Sequence, residues 1–387
     1  MAPNVSTGLD QCIANQFALF KGQRVALLIN QASCDHQFRH LADLIKATHQ
    51  VHLVRIFGPE HGFAGVAQDL ENVIDKDHPH PHWGVPVLSL YGETESSLTP
   101  DLNLLQDIDT LIVDLPDIGT RYYTFAATMI RILRAASGLN LRVTVLDRPN
   151  PLGSIALEGP ILKPGFESFV GEIAIPIRHA MTLGEIGRWV LETERIDLNY
   201  ECISTLGWSG REMLPETGLP WVMPSPNMPT FETALVYPGG CLIEGTNLSE
   251  GRGTTRPFEI IGAPWIHELK LANRLNQSRL DGFIARPIQF KPTFQKHSGQ
   301  VCGGVQIHVT DRLQFQPVRV YTAAIIAMRD QNPELFQWRT ETYEFRNFPI
   351  AIDLLYGSDS ERVAIESGAT WQELAESWTI EELEFSK

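Results

Sequence analysis

Apolar residues fall into short continuous runs along the first part of the chain: Arg24–Asn30 (RVALLIN), Val51–Phe57 (VHLVRIF), Val85–Tyr91 (VPVLSLY), Thr110–Leu115 (TLIVDL) and Leu141–Leu146 (LRVTVL). Unbroken runs of this length, bounded by Gly, Pro or charged residues, predict strands buried on both faces. Segments between them change period. Leu41, Leu44 and Ile45 give helix spacing within Gln37–Thr48, and Tyr123–Ala136 predicts another helix. Thr182 with Glu185 forms a capping box ahead of Ile186, Trp189 and Val190, and Leu198–Ser204 predicts a further strand. Alternating strands and helices specify an α/β fold with a doubly wound, mostly parallel sheet.

From Gly207 to Pro264 the periodicity fades into Gly, Pro, Ser, Thr and Asn, with Trp221, Phe231, Tyr237 and Phe258 as anchors. So long an irregular stretch in a compact protein points to function. A domain boundary is expected within it, dividing the chain into residues 1–229 and 230–387. Beyond it, a helix from Pro264-Trp265 to about Ser278, strands at Phe283–Phe290 and Val305–Val309, and helices at Val318–Arg329 and Thr370–Trp378 suggest a smaller α+β domain. There is no internal repeat.

Composition narrows the function. The chain has 387 residues, enough for two domains, and a net charge of −15, which argues against nucleic-acid or anionic-membrane binding. An anionic ligand would need local arginines. Five scattered cysteines without a C-x-x-C pair read as reduced thiols. No stretch reaches the ~20 apolar residues of a membrane span, and no apolar segment follows a basic N-terminus. A cytoplasmic protein is expected, or a periplasmic or secreted one had a signal peptide been removed. No G-x-G-x-x-G, P-loop or G-x-S-x-G is present, so no cofactor is expected. His78, His80 and His82 alternate with prolines and lack a completing carboxylate or thiol, which reads as solvated loop with no metal.

Charged turns follow several strands. Val51–Phe57 breaks at Gly58-Pro59 into Glu60, His61, Gly62 and Phe63. A carboxyl group shielded by Phe57 and Phe63 could serve as a general acid, with His61 orienting it; a plain polar corner is the alternative. TLIVDL leads into Asp117, Gly119, Arg121 and Tyr122, where Asp117 is favoured for chemistry over the in-register Asp114. LRVTVL ends in Asp147, Arg148 and Asn150, either ligand groups or a self-paired turn. In a parallel sheet these carboxyl ends share the ligand-binding edge. The irregular stretch adds Asn227, Asn247, Glu250 and Arg252, and His179 stands before the capped helix, as a ligand or a structural histidine.

The motifs GPEHGF (58–63), SLYG (89–92), DIGTRYYTF (117–125), VLDRPNP (145–151), PSPNMPT (224–230) and EGTNLSEGRGTTRPFE (244–259) together resemble the NamZ-type exo-β-N-acetylmuramidase family. The resemblance implies a Rossmann-like N-terminal domain, a smaller C-terminal domain closing an active-site cleft, and release of N-acetylmuramic acid from the non-reducing end of peptidoglycan fragments. It implies Glu60 as the catalytic residue. Two positions depart from the family pattern: Pro116 replaces Gln, and Ala180 replaces Gly in His-Gly-Met-Thr. Glycosidic cleavage needs a proton donor and commonly a second carboxylate, for which Asp117 and then Glu250 are candidates. Arg121, Arg148 and Arg252 are the candidate partners of the lactyl carboxylate, while Tyr122, Asp147, Asn150, His179, Asn227 and Asn247 complete the expected substrate set. The substrate could equally be another β-N-acetylhexosaminide, or the protein could bind muropeptides without cleaving them. The oligomeric state is open.

Overall fold

The computed structural model describes residues 5–68, 71 and 79–386. They form two compact units. The first comprises Met1–Gly119, Tyr123–Ile155 and Ala180–Pro226; the second comprises Thr120–Tyr122, Ala156–His179 and Asn227–Lys387. Thr120–Tyr122 and Ala156–His179, which a single cut near residue 230 would leave with the N-terminal part, therefore pack with the C-terminal one.

In the first unit the elements run α1 (Gly8–Ala14), β1 (Arg24–Ile29), α2 (Leu41–Thr48), β2 (His52–Gly58), β3 (Val87–Ser89), α3 (Asn103–Gln106), β4 (Thr110–Asp114), α4 (Thr124–Ala135), β5 (Arg142–Leu146), α5 (Leu183–Glu194), β6 (Asn199–Ile203) and α6 (Leu214–Thr217). The six strands are ordered β3-β2-β1-β4-β5-β6 and every pairing is parallel. This is the Rossmann-like doubly wound order, and its direction reverses between β1 and β4. The apolar runs are continuous because both faces of the sheet are covered: Val25 to Ile29 and Leu111 to Val113 are fully buried. Thr182 and Glu185 make the expected capping box at the start of α5.

The second unit contains α7 (Phe231–Gly240), β7 (Ile260–Ala263), α8 (Glu268–Asn276), β8 (Phe283–Phe290), β9 (Cys302–Val309), α9 (Pro317–Gln331), α10 (Ala351–Tyr356), α11 (Ser360–Glu366) and α12 (Trp371–Phe385). Its sheet is antiparallel, ordered β7-β9-β8, so the smaller part is α+β as expected. The irregular stretch is more regular than its sequence suggests, because α7 lies within it. Apart from Glu232, every α7 residue is buried, so the helix lacks the polar stripe on which periodicity depends. Pro238 falls near its end, and a Cβ at Gly239 would lie 2.0 Å from the Pro317 carbonyl oxygen, so only glycine permits that approach. No helix among the described residues is long and apolar enough to cross a membrane.

Candidate active site

The Glu60 corner is a tight reversal at the carboxyl end of β2. A Cβ on Gly58 would sit 2.6 Å from the Phe63 backbone nitrogen, so the chain folds back onto the strand that delivers it. His61 adopts a left-handed φ of 68° between Glu60 and Gly62, a conformation that costs a non-glycine residue of order 1 kcal/mol. Its Nδ1 donates to the Ala67 carbonyl at 2.9 Å. His61 thus closes the loop from inside. Phe63 packs edge-on against Trp83, with centroids 5.0 Å apart, and Trp83 stacks on His80 at 4.1 Å. His82 lies 2.9 Å from Asp43, so both described histidines of the HPHPH tract have neighbours, while His78 lies outside the described residues. No group of three or more His, Cys, Asp or Glu side chains suited to a metal occurs among the described residues.

Glu60 is 4% exposed, and its Oε2 accepts a 2.6 Å hydrogen bond from Oγ1 of Thr124, the first residue of α4. Beside it stands Tyr123. Burial pushes the Tyr123 hydroxyl well above its ordinary pKa, the neighbouring Ser225 opposes this, and the Asp117 and Glu60 carboxylates raise it further. The two carboxylates expected to work together therefore share one phenol as neighbour. Sequence reading missed Tyr123, Thr124 and Ser225 as members of this cluster. The first two could have been found, since a residue opening the helix after a sheet-edge loop faces the same edge.

Around the switch point, loops after β1, β4 and β5 line a narrow cleft that includes Asp117, Arg148 and Trp221. It holds about 60 Å³, room for a few waters. Asp117 Oδ2 accepts from the Gly119 amide at 2.7 Å. Arg148 donates to Asp114 from Nε at 2.6 Å and Nη2 at 2.9 Å, and to the Cys34 carbonyl at 2.9 Å. The self-paired Asp147–Arg148 turn is therefore not formed; Arg148 pairs with Asp114 instead.

Two residues expected to touch substrate do other work. Asp147 accepts from Thr182 Oγ1 at 2.7 Å and the Gly184 amide at 3.0 Å, holding the start of α5. Asn150 spans a turn, donating to the Met181 carbonyl at 3.0 Å and accepting from the Leu152 amide at 2.9 Å. Burial outweighs the hydrogen bonds to Asp147 and raises its pKa from 3.8 to about 6. Between those values the folded chain keeps a proton that the unfolded chain releases, so stability falls as pH rises through the window. We expect the Tm to rise on acidification from about pH 7.5 to 5, with Asp147 contributing of order 1 kcal/mol. Glu158, buried and raised to about 7, adds the same sign. Asp147→Asn should flatten the trend, as read by thermal unfolding across pH; an equal slope in variant and parent would refute this account.

The second unit holds the remaining candidates. Arg121 is buried. Its Nη1 donates to the Pro160 and Ile175 carbonyls at 2.7 Å, and its Nη2 to those of Leu355 at 2.9 Å and Tyr356 at 2.7 Å. It is a backbone staple, not an anion site. Tyr122 donates to the Pro238 carbonyl and packs on Tyr237, which makes it core as well. Asn247 donates to the Leu335 carbonyl at 2.8 Å and accepts from the Gln337 amide at 3.0 Å, fixing that loop. Glu250 and Arg252 sit in a buried network: Lys296 Nζ is 3.0 Å from Glu250, and Arg252 donates to Glu244 at 2.6 Å. Tyr343 donates to Glu244 at 2.8 Å. Lys296 and Tyr343 escaped sequence reading because they lie far along the chain from EGTNLSEGRGT. His179 and Asn227 are buried in the same unit.

Residues 25–232 match the family model described as the N-terminal part of exo-β-N-acetylmuramidase NamZ, and residues 235–387 match the C-terminal part. The chain belongs to the NamZ family. Across all of its length it is 39% identical to the peptidoglycan β-N-acetylmuramidase NamZ of Bacillus subtilis strain 168, covering 90% of that protein. Two crystal structures of DUF1343-family proteins from Bacteroides fragilis NCTC 9343 share the fold at 28% identity. One superposes with a TM-score of 0.90, covering 100% of this chain and 97% of the other. The second has a TM-score of 0.73, with coverages of 99% and 96%.

Proposed function

We propose that this NamZ-family chain is a glycosidase that releases N-acetylmuramic acid from the non-reducing end of peptidoglycan fragments, with Glu60 as its proton donor. The observation that carries the assignment is the setting of Glu60: a buried carboxyl group delivered by a closed loop at the ligand-binding edge of the sheet and steadied by Thr124. Cleavage through an oxocarbenium-like transition state needs a proton on the departing oxygen. Asp117 is the proposed second carboxylate, either activating water or orienting the substrate's own acetamido group. Glu250 is the weaker choice, since Lys296 already engages it. Arg148 is the proposed partner of the lactyl carboxylate: its Nη1 has no hydrogen bond among the described residues, and it lines the same cleft as Asp117.

The test is hydrolysis of a disaccharide with non-reducing terminal N-acetylmuramic acid, beside its N-acetylglucosamine counterpart. Release of free muramic acid from the first alone is expected; equal turnover of both would assign a broader β-N-acetylhexosaminidase. We further propose work in a reducing compartment, on imported fragments. All five cysteines are free thiols. Burial raises Cys34, Cys202 and Cys302 to about 11, so they are protonated at neutral pH.

A further inference from the structure

A groove in the second unit lies between α8, the end of α9 and the turn joining α11 to α12, and encloses about 850 Å³. That is the size of a ligand site. Its walls carry Lys270, Arg274, Arg279 and Arg329 against one carboxylate, Asp330, on a chain whose net charge is −15. Asp330 is shared by two of these cations, lying 2.7 Å from Arg274 and 3.8 Å from Arg329. Lys270 and Arg279 are exposed and have no ion-pair partner among the described residues. Arg279 is also held at a left-handed φ of 66°, an uncommon state for a long side chain. An acidic protein that gathers unneutralised cations in one concavity creates a local positive field suited to an anionic ligand.

The rest of the lining narrows the ligand class. Half-buried Trp371 contributes a broad apolar ring surface, and Asn273, Gln277 and Gln372 contribute amide donors and acceptors. Guanidinium groups pair with carboxylates, amides with hydroxyl and acetamido groups, and an indole with the C–H face of a pyranose. We propose that this groove binds an acidic glycan, a chain of N-acylated hexosamines bearing carboxylate substituents, as a holding site in the unit that does not contain Glu60. The choice of glycan rests on the muramidase reading; the anionic character of the site does not.

The experiment titrates the full chain carrying Glu60→Gln, which suppresses turnover, with a tetrasaccharide of alternating N-acetylglucosamine and N-acetylmuramic acid. Adding Lys270→Glu and Arg279→Glu should remove one binding equivalent per chain, as should Trp371→Ala in a separate variant. Chitotetraose, lacking carboxylates, should not fill that site. The charge-reversed chain with Glu60 intact should hydrolyse a small chromogenic β-muramide at the parental rate. An unchanged stoichiometry after charge reversal overturns the proposal. So does equal filling by chitotetraose, or loss on charge reversal with indifference to Trp371→Ala, which would mark a general polyanion patch. Failure of the parent to hydrolyse the muramide would instead refute the muramidase reading, and the titration would still report on the groove.

Discussion

Glutamine at position 60 should lower kcat about 10³-fold on a disaccharide substrate, the usual scale for losing a positioned proton donor. The substitution keeps size and shape, and the amide can still accept from Thr124 Oγ1, which lies 2.6 Å from Glu60 Oε2. The Tm should therefore stay within a degree or two of the parent. The loss should depend on the leaving group. A nitrophenolate departs without a proton, so the same variant should lose far less on a nitrophenyl β-muramide than on the disaccharide. Steady-state kinetics on both substrates separate the roles: equal losses would indicate that Glu60 acts on the sugar and not on the departing oxygen. Near-parental turnover on both would remove Glu60 from the chemistry.

Replacing Arg121 with alanine should unfold the protein more readily and leave substrate recognition alone. The guanidinium donates to four backbone carbonyls, contributed by Pro160, Ile175, Leu355 and Tyr356. Burial lowers its pKa to about 10, so it remains charged at neutral pH. Removing it strands several buried acceptors and opens a void, at an expected cost of about 3–5 kcal/mol. For a chain of this size that lowers the Tm by about 4–6 °C. At a temperature where the variant is folded, its KM should match the parent. A raised KM with an unchanged Tm would return Arg121 to the substrate.

The contrast between Glu60 and Arg121 shows what could be read in the chain. Strands such as Arg24–Ile29 and Phe283–Phe290 were legible because burial on both faces, or a steady flanking pattern, writes itself into consecutive residues. The fold class followed. Glu60 was legible because it interrupts such a run at a Gly-Pro corner. Arg121 was misread by the same logic: it too follows a strand within a charged turn, but residue type does not disclose whether the nearest acceptors will be ligand atoms or distant carbonyls. Asp147, Asn150, Tyr122 and Asn247 failed alike, each absorbed by backbone groups brought in by tertiary folding. Helix α7 was lost for a different reason, since a segment buried almost all round has no contrast from which a period can be measured.

The composition of the second unit bears on how the molecule is made. Ala156–His179 belongs to that unit but is synthesised before Asn227–Lys387. Within it, Glu158 Oε1 accepts from the Arg319 amide at 2.9 Å, and the Gly159 amide donates to Glu382 at 2.8 Å. On the ribosome this segment emerges well before those partners. Nascent chains halted after the first unit's last strand would therefore expose an early piece of the second, open to chaperones and proteases until translation is nearly finished. A stop codon between the two halves would not yield two proteins.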